Sequence, residues 1–533
     1  MSYWPRYAPG RPWWPARQAG GLIASTTSGQ SANAAADIGS GTHADTGAET
    51  AGKPRSSRWG IAWPIAAAVA FTLATFSFGQ LHIPLFWDES VYASQISQHM
   101  PMLWGAERSR GMPLLAAPVT LLTGSVVVLR VYLVLMAGAG LLLAMLAWRG
   151  RRRPDWVVAL AGLIFGGLWI AQWQAPLLLP NYWTAIGGMA GVGLFLRAME
   201  RGKLSPLGFA LLAVTAAFTA AMRLPDSVVI FGPLLVIALA ARPWRQAMSL
   251  VAAVDGAILT GLAVGIGEWV VESYLYFSGP LTRLHATSQA SGGSKLNLLN
   301  NLRIMNGGVV SSVQGLPSIS GWSYPSLLAW WAAFGALALL GVYAARRYEG
   351  LLLAATPVIC ALCVYALYSL PVRDNTRYLL PIWALLAVPA ADGIYWLVTT
   401  PRGRLRLAAI AAACLFVAVE LGTQHAVLTS QNAQRLAAAR AQTDAVQAMR
   451  QLGVRPPCAV TSSPVAVSIT LPAGYYLGCS YVPNMKSLTQ ADGRRVVVLM
   501  QGGRLPRPFA QPWPAHHLPP AGNVVAYVQP TGL

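Results

Sequence analysis

The sequence predicts a polytopic α-helical membrane protein, in which about eleven membrane-spanning helices are followed by a small α/β domain. Three observations lead to this fold class. Of the 533 residues, 55% are hydrophobic and only 11% are charged, and the mean hydropathy of +0.48 is typical of a membrane protein. Apolar segments long enough to cross a hydrocarbon layer of about 30 Å recur between residues 61 and 423. The chain after residue 424 is more polar and carries short helix and strand patterns.

Residues 1–60 predict a disordered cytoplasmic tail, because they are rich in Gly, Ala, Ser, Thr and Pro and show no apolar periodicity. The front of this tail lacks the apolar core and cleavage site of a signal peptide. We therefore expect the first span to be retained as an anchor.

The transmembrane domain is expected at residues 61–424, where each span is a mainly apolar stretch of about 20 residues. The spans are predicted at residues 61–80, 126–148, 156–173, 182–198, 204–222, 227–241, 247–274, 326–345, 351–370, 379–399 and 407–423.

The basic residues behind the formal charge of +20 cluster in the short connections between these spans. Such clusters set membrane orientation, since Lys and Arg are enriched in cytoplasmic loops. With the N-terminus inside, every cluster is cytoplasmic: Arg149, Arg151, Arg152 and Arg153; Arg197, Arg201 and Lys203; Arg242 and Arg245; Arg346 and Arg347; Arg402, Arg404 and Arg406. The pattern predicts a multi-pass protein of a bacterial cytoplasmic membrane. A nucleic-acid partner is not expected, because no soluble basic face with aromatic platforms is present.

The same count places outside the cytoplasm residues 81–125, 174–181, 223–226, 277–324 and 371–378 and the chain after residue 424. This side holds most of the non-membrane chain beyond the N-terminal tail. The functional site is therefore expected there.

Residues 425–533 predict an extracytoplasmic α/β domain, with a helix at 431–452 and strands at 458–461, 465–471, 475–481, 494–500 and 523–528. Cys458 and Cys479 lie in this domain, where a disulfide could form and persist. Two buried thiols are an equally good interpretation. Cys360, Cys363 and Cys414 lie in apolar stretches and are interpreted as packing residues.

An acidic pair, Asp88-Glu89, follows the first span within Leu85-Phe-Trp-Asp-Glu-Ser-Val-Tyr92. Two carboxylates at the end of a membrane helix are costly without a purpose, which favours a functional site. They could instead cap the helix that begins near Ser90, since acidic residues favour a helix N-terminus. Taken alone, the two interpretations are even.

Arginines at two other outer connections are candidates for binding an anion, because a guanidinium group can hold two oxygen atoms at once. Arg373 and Arg377 lie in the segment before Tyr378 and Pro381, and a local ion pair with Asp374 is the alternative. Arg223 precedes a predicted span of only fifteen residues, about 22 Å of helix, and is expected below the outer surface with Asp226 as a possible structural partner.

Further polar side chains are left with two interpretations each. Arg130 could snorkel to the lipid headgroups or join the same cavity. Glu107, Arg108 and Arg110 are either solvated charges or contacts to a lipid phosphate. His82 and His99 are weak evidence for a metal, so a divalent ion is not indicated and no cofactor is required.

The Asp88-Glu89-Ser-Val-Tyr92 element after the first span, and the Arg377-Tyr-Leu-Leu-Pro381 element before a late span, resemble the GT-C superfamily of polyprenyl-phosphate-sugar-dependent glycosyltransferases. The similarity is greatest to the protein O-mannosyltransferase and aminoarabinose-transferase branches. It covers about residues 61–423 and lies in the topology more than in the identity of the amino acids. These enzymes have two interfacial helices in the first outer loop. Residues 90–100 and 111–122 match them here.

The resemblance implies an inverting transfer of a sugar from a polyprenyl monophosphate carrier to an extracytoplasmic glycan, lipid or protein. It implies Asp88 as general base, Glu89 as an orienting residue, and Arg223, Arg373 and Arg377 as ligands of the donor phosphate. The cavity is expected to include Tyr92, His99, Arg110, Arg130 and Tyr378. A composition high in Ala, Arg, Gly and Pro points to a GC-rich bacterium such as an actinobacterium, where mannose and arabinose donors are both plausible.

Two other functions stay open. A lipid or polysaccharide transporter could use the same charges, although the inverted repeats and broken spans of transporters were not found in the sequence. A ligase of lipid-linked oligosaccharides would share the architecture and differ in its donor.

Overall fold

A computed structural model describes residues 58–96, 100–103, 105–151, 153–241, 248–290, 296–298, 325–370, 376–462, 468–501, 504–518 and 524–530. Its α-helices are α1 (Ala62–Phe78), α2 (Trp87–Ser94), α3 (Gly111–Thr120), α4 (Val126–Ala147), α5 (Asp155–Gly166), α6 (Trp169–Gln174), α7 (Asn181–Arg201), α8 (Pro206–Met222), α9 (Leu224–Ala240), α10 (Met248–Tyr276), α11 (Pro280–Ala290), α12 (Pro325–Glu349), α13 (Leu351–Leu367), α14 (Leu380–Thr399), α15 (Arg404–Gln451) and α16 (Thr470–Leu477).

Apolar helices dominate this part of the chain. Among the described residues, five helical segments are long and apolar enough to cross a membrane: Val126–Ala147, Met248–Tyr276, Ala329–Glu349, Thr376–Thr399 and Arg404–Gln451. Shorter apolar helices include α1, α8, α9 and α13, each of 17 residues. The architecture is that of a polytopic membrane protein, while the number of eleven spans stays a prediction.

Close helix packing depends on glycines at two contacts. A Cβ atom added at Gly261 of α10 would lie 2.2 Å from the Ala213 carbonyl oxygen of α8, and one at Gly265 would lie 2.4 Å from that of Ala217. At the contact of α12 with α14, a Cβ atom at Gly393 would lie 2.1 Å from the Leu337 carbonyl oxygen. Small residues at this spacing let helix backbones approach closely in membranes.

The predicted continuous span at residues 156–173 is wrong, because the chain breaks between α5 and α6. Leu168, which precedes α6, has an extended conformation with ψ 130°. Gly166 ends α5 against Phe71 of α1, where a Cβ atom would lie 2.9 Å from the aromatic ring.

The last span and the first helix of the C-terminal domain form one helix, α15, and not the two predicted at 407–423 and 431–452. It has 48 residues and is about 72 Å long at 1.5 Å per residue. Its second half carries the chain from the helical bundle into the C-terminal domain.

The C-terminal domain contains a mixed five-stranded sheet of order β2-β1-β3-β5-β4. Its strands are β1 (Cys458–Ser462), β2 (Ser480–Tyr481), β3 (Arg495–Gln501), β4 (Ala515–Leu518) and β5 (Val524–Val528). The strands β2, β1 and β3 are parallel, and β5 pairs antiparallel with both β3 and β4.

Two predicted strands of this domain need correction. Residues 470–477 form α16, where strands were predicted at 465–471 and 475–481; residues 463–467 lie outside the described residues. Pro472 is compatible with the first turn of a helix, and Gly478 ends it in the left-handed region at φ 72°. These start and stop signals outweigh the short apolar runs.

The bundle has two ends with different chemistry. At the C-terminal end of α4, Arg151 pairs with Glu200 and with Glu349, each at 2.5 Å. Near the N-terminal end of α4, Arg130 pairs with Glu89, the neighbour of Asp88 in α2. Because α4 has 22 residues, the two ends are about 33 Å apart. Arg151, from one of the predicted arginine clusters, and Asp88 therefore lie near opposite ends of α4.

Candidate active site

The segment between α1 and α2 is held by the C-terminal part of the chain. The Leu85 amide donates to the Tyr476 hydroxyl at 2.7 Å, and the Gln442 side chain donates to the Leu85 carbonyl at 3.0 Å. The Trp87 ring packs edge-on against Tyr481 at 5.4 Å. These contacts fix the start of α2, whose first turn contains Asp88 and Glu89.

The Asp88 carboxylate lies between two guanidinium groups. Arg108 Nη2 lies 2.7 Å from Oδ1, and Arg377 Nη2 lies 2.7 Å from Oδ2. Burial alone would raise the pKa of Asp88, but Arg377 and Arg108 outweigh it and hold the pKa far below its usual range. The two guanidinium groups thus favour the anionic carboxylate, and 20% of its side chain is exposed.

Tyr378 joins Arg377 to Arg223. The Arg223 guanidinium lies 4.0 Å over the Tyr378 ring, and the Arg377 guanidinium lies 5.3 Å from the same ring centre. Arg377 Nη2 also lies 3.5 Å from the Tyr378 hydroxyl. The structure therefore brings together Asp88, Arg223, Arg377 and Tyr378, which the sequence places on three separate connections.

Arg223 is positioned by neighbours other than Asp226. It connects α8 to α9 in an extended conformation, and its Nη1 donates to Asn181 Oδ1 at 3.1 Å. The Tyr368 ring lies 5.0 Å from its guanidinium, and the Tyr368 hydroxyl hydrogen-bonds to Asp226. Among the described contacts, Asp226 thus pairs with the tyrosine, so the predicted structural partnership with Arg223 is not a direct ion pair.

Glu89 points away from Asp88 into a fully buried contact with Arg130. Arg130 donates to both carboxylate oxygens, and the amides of Leu178 and Phe86 donate at 2.8 and 3.2 Å. The side chain of Glu89 is 1% exposed and that of Arg130 is 0% exposed. Phe86 is the residue before α2, so Glu89 caps the start of this helix by accepting from the Phe86 amide. This agrees with the capping interpretation of Glu89.

The remaining candidates are distributed around this centre. The Tyr92 ring lies 4.9 Å from the Arg108 guanidinium and so supports the pair with Asp88. Arg110 pairs with Glu272 at 2.5 Å and with Glu268 at 3.7 Å, and its Nη2 lies 3.7 Å from the sulfur of Met102. Arg373 and His99 lie outside the described residues.

Arg108 is a site residue that the sequence left between two interpretations, a solvated charge and a contact to a lipid phosphate, and in the structure it binds Asp88. Its contact with Asp88 spans 20 residues and includes a second bond, from Nη1 to the Asp88 carbonyl at 3.3 Å. In the sequence it is one of three charged residues in a loop, where a solvated charge is the more common outcome. The signal in the sequence was indirect: a carboxylate in the aromatic segment that ends at Tyr92 needs a cationic partner.

Cys458 and Cys479 are joined by a disulfide, with a Cα–Cα distance of 4.7 Å. It links the start of β1 to the residue before β2. Among the described residues, no three His, Cys, Asp or Glu side chains are grouped as metal ligands would be.

Comparison with known proteins identifies structural relatives. No protein-family model matches the chain, and a search of curated proteins finds no match. ArnT from Cupriavidus metallidurans bound to undecaprenyl phosphate superposes with a TM-score of 0.57 at 14% identity, over 89% of this chain and 99% of ArnT. The apo state of ArnT gives a TM-score of 0.53 at 13% identity, over 88% and 97% of the two chains. The chain shares the ArnT fold.

A third structure, the archaeal oligosaccharyltransferase AglB from Archaeoglobus fulgidus, covers 83% of this chain and 70% of AglB, with a TM-score of 0.49 and 12% identity. The likeness to ArnT extends over nearly the whole of both chains. It therefore confirms the predicted fold class, a polytopic helical membrane protein with a small C-terminal α/β domain.

Proposed function

We propose that the protein is an inverting glycosyltransferase, which moves a monosaccharide from a polyprenyl monophosphate carrier to an extracytoplasmic acceptor. The observation that carries this proposal is the partly exposed Asp88 carboxylate, which is held by Arg108 and Arg377. A carboxylate in such a place can act as a base, and the arginines around it can bind an anion.

The donor phosphate is assigned to Arg377 and Arg223. Both guanidinium groups contact the Tyr378 ring, so two positive charges face one region beside a single carboxylate. Planar guanidinium groups match phosphate oxygens and stabilise the charge that builds on a departing phosphate. ArnT, which shares the fold, has been solved with undecaprenyl phosphate, and this supports a donor of the same chemical class.

Binding of the donor would also activate Asp88. A phosphate on Arg377 competes with Oδ2 of Asp88, so the carboxylate loses one of its two cationic partners and its pKa rises toward the working pH. A general base is most effective when its pKa is near that pH. Oδ2 then becomes available to an acceptor hydroxyl, while Arg108 keeps Oδ1 in place.

In the proposed step, the acceptor oxygen attacks the anomeric carbon as the bond from that carbon to the phosphate oxygen breaks. The hydroxyl proton passes to Asp88, and the electron pair of the broken bond stays on the carrier phosphate beside Arg377 and Arg223. A single displacement inverts the anomeric configuration. Glu89 is assigned to anchoring α2, because its carboxylate oxygens are already bound. Arg373 is proposed as a further phosphate ligand because it lies in the same segment as Arg377 in the sequence.

For the finer identity of the substrates, we propose a mannose or arabinose donor and a glycan, glycolipid or protein acceptor of the cell envelope. The test is transfer by purified protein in liposomes from a panel of labelled donors, comprising polyprenyl monophosphate sugars and a diphosphate-linked oligosaccharide. Turnover of a monophosphate donor is expected. Turnover of the diphosphate donor alone would indicate an oligosaccharide ligase, and flip-flop without transfer would indicate a transporter.

The Asp88→Asn variant should lose transfer by about 10²- to 10⁴-fold, because the base is removed while the size of the side chain is kept. Its matched control is Asp155→Asn, which breaks another Arg–Asp pair, Arg149 to Asp155 at 2.9 Å, at the opposite end of the bundle. Full activity of Asp88→Asn would show that Asp88 is not the base of the reaction.

The Arg377→Ala variant should weaken use of the donor more than use of the acceptor.

A further inference from the structure

The loop that carries Arg108 is covered by α11. This helix lies within the outer connection predicted at residues 277–324. α10 ends at Tyr276, and the next residues turn through positive φ values, 60° at Ser278 and 116° at Gly279. The Gly279 amide donates to the Ser273 carbonyl at 2.8 Å, which closes the turn. The chain thereby folds α11 back over the end of α10.

Arg283 is the residue of α11 that this turn buries, and its side chain is 0% exposed. Its donors are directed to backbone carbonyl groups: Nε to Ala106 at 3.0 Å, Nη2 to Arg108 at 2.8 Å and Nη1 to Trp269 at 2.9 Å. The rings of Trp269 and Phe277 lie 4.6 and 4.8 Å from the guanidinium. Glu272 supplies the negative charge at 3.3 Å.

Two of these bonds end on the loop that presents Arg108. Ala106 and Arg108 lie outside regular secondary structure, between the end of α2 at Ser94 and the start of α3 at Gly111. The planar, rigid fork of Arg283 therefore fixes the backbone from which the Arg108 side chain reaches Asp88.

We propose that Arg283 is a positioning residue of the active site, which acts through Arg108 to keep Asp88 in place. The inference rests on the proposed function and extends it. During the exchange described above, Arg377 is taken by the phosphate, and Arg108 is the partner that stays on Asp88. A shift of about 1 Å in such a partner is enough to lower a rate by about 100-fold.

The acidic limb of the pH–rate profile separates this role from a general loss of stability. The groups that face Asp88 or its partners are Arg108, Arg377, Tyr92, Tyr378 and Glu107. Asp88 must be deprotonated to act as a base, and its lowered pKa keeps it so in acid. If Arg108 loses its position, the pKa of Asp88 rises, so activity is lost at a higher pH than in the wild type.

The experiment is a double-mutant cycle of Arg283→Gln with Arg108→Gln, with kcat, KM and the pH profile measured for each protein. Arg283→Gln alone should lower kcat by about 10- to 100-fold and move the acidic limb to higher pH. In the Arg108→Gln background the same change should have an effect of less than about 2-fold, because the residue acts through Arg108. Arg283→Lys, which keeps the charge between the rings, should resemble Arg283→Gln because it lacks the fork.

The matched control is Arg495→Gln in the sheet domain. Arg495 also donates to two backbone carbonyls, of Gln529 at 2.9 Å and Gly453 at 2.8 Å, away from the site. It should keep the wild-type pH profile. Additive effects of Arg283→Gln and Arg108→Gln, an unmoved acidic limb, or failure of both Arg283 variants to fold would overturn the inference.

Failure of the proposed function has a different outcome. In that case the wild type transfers no sugar from any polyprenyl-phosphate donor. Hydrogen exchange at the amides of residues 105–110 still tests Arg283, since faster exchange is expected in Arg283→Gln and not in Arg495→Gln. Unchanged exchange there would contradict the positioning role independently of activity.

Discussion

Asp88 and Glu89 are neighbours in the first turn of α2, yet their surroundings suit different tasks. The Asp88 side chain is 20% exposed between Arg108 and Arg377, whereas Glu89 is 1% exposed against Arg130. A partly exposed ion pair can exchange partners when a ligand arrives. A buried pair cannot do so without leaving an uncompensated charge.

The Glu89→Gln variant should therefore lose stability. Removing the charge leaves the fully buried guanidinium of Arg130 without its counter-ion, and breaking such a pair costs about 3–5 kcal/mol. Thermal unfolding in detergent measures this, with Asp88→Asn as the control that should unfold near the wild-type temperature. If the Glu89→Gln protein were fully stable but transferred no sugar, Glu89 would have a role in the reaction itself.

At this scale the sequence was informative about which residues to examine and less about their contacts. Asp88, Arg223 and Arg377 could be selected because charged residues next to apolar spans are costly. The task of Glu89 and the contact of Arg108 depend on folding of the 81–125 loop. The loop backbone at Arg108 is in turn held by Arg283 of α11, 175 residues later in the chain.

Among the secondary-structure elements, the sheet domain contributes the contacts that hold α2. Tyr476, near the end of α16, accepts from the Leu85 amide, and α16 lies between β1 and β2 in the chain. The disulfide between Cys458 and Cys479 closes this β1–α16–β2 segment over a sequence separation of 21 residues.

Replacing Cys458 and Cys479 together by Ala should destabilise the sheet domain by about 3 kcal/mol, the loop-closure contribution for this separation. Limited proteolysis should then cut the 458–480 segment faster than in the wild type. A Cys360→Ala protein is the control, since Cys360 is a buried free thiol of α13. Equal proteolysis of the double variant and the wild type would show that the bond contributes little.

Element prediction succeeded where length and periodicity decide and failed where local signals compete. Long apolar stretches such as α4 and α10 could be located from the sequence because few structures other than a membrane helix suit them. The break at Gly166 depends on the approach of Phe71 from α1, which no local pattern shows. α16 was missed because its apolar residues were weighed more heavily than Pro472 and Gly478.

Across the whole molecule, the carboxylate site and the sheet domain lie at one end of the bundle, and the Arg151 cluster lies at the other. The likeness to ArnT covers both the bundle and the C-terminal domain. The positive-inside rule predicts that the Arg151 end is cytoplasmic. The site would then face the compartment where lipid-linked sugars, and not nucleotide sugars, are the donors.

The central claim is that Asp88 marks a polyprenyl-phosphate site beyond the membrane. The most direct measurement is labelling of an Asp88→Cys protein by an impermeant maleimide in oriented vesicles, in a Cys414→Ser background that removes the exposed native thiol. The account predicts labelling from the extracytoplasmic side and protection by added polyprenyl phosphate. Labelling from the cytoplasmic side alone, or labelling that polyprenyl phosphate does not slow, would contradict it.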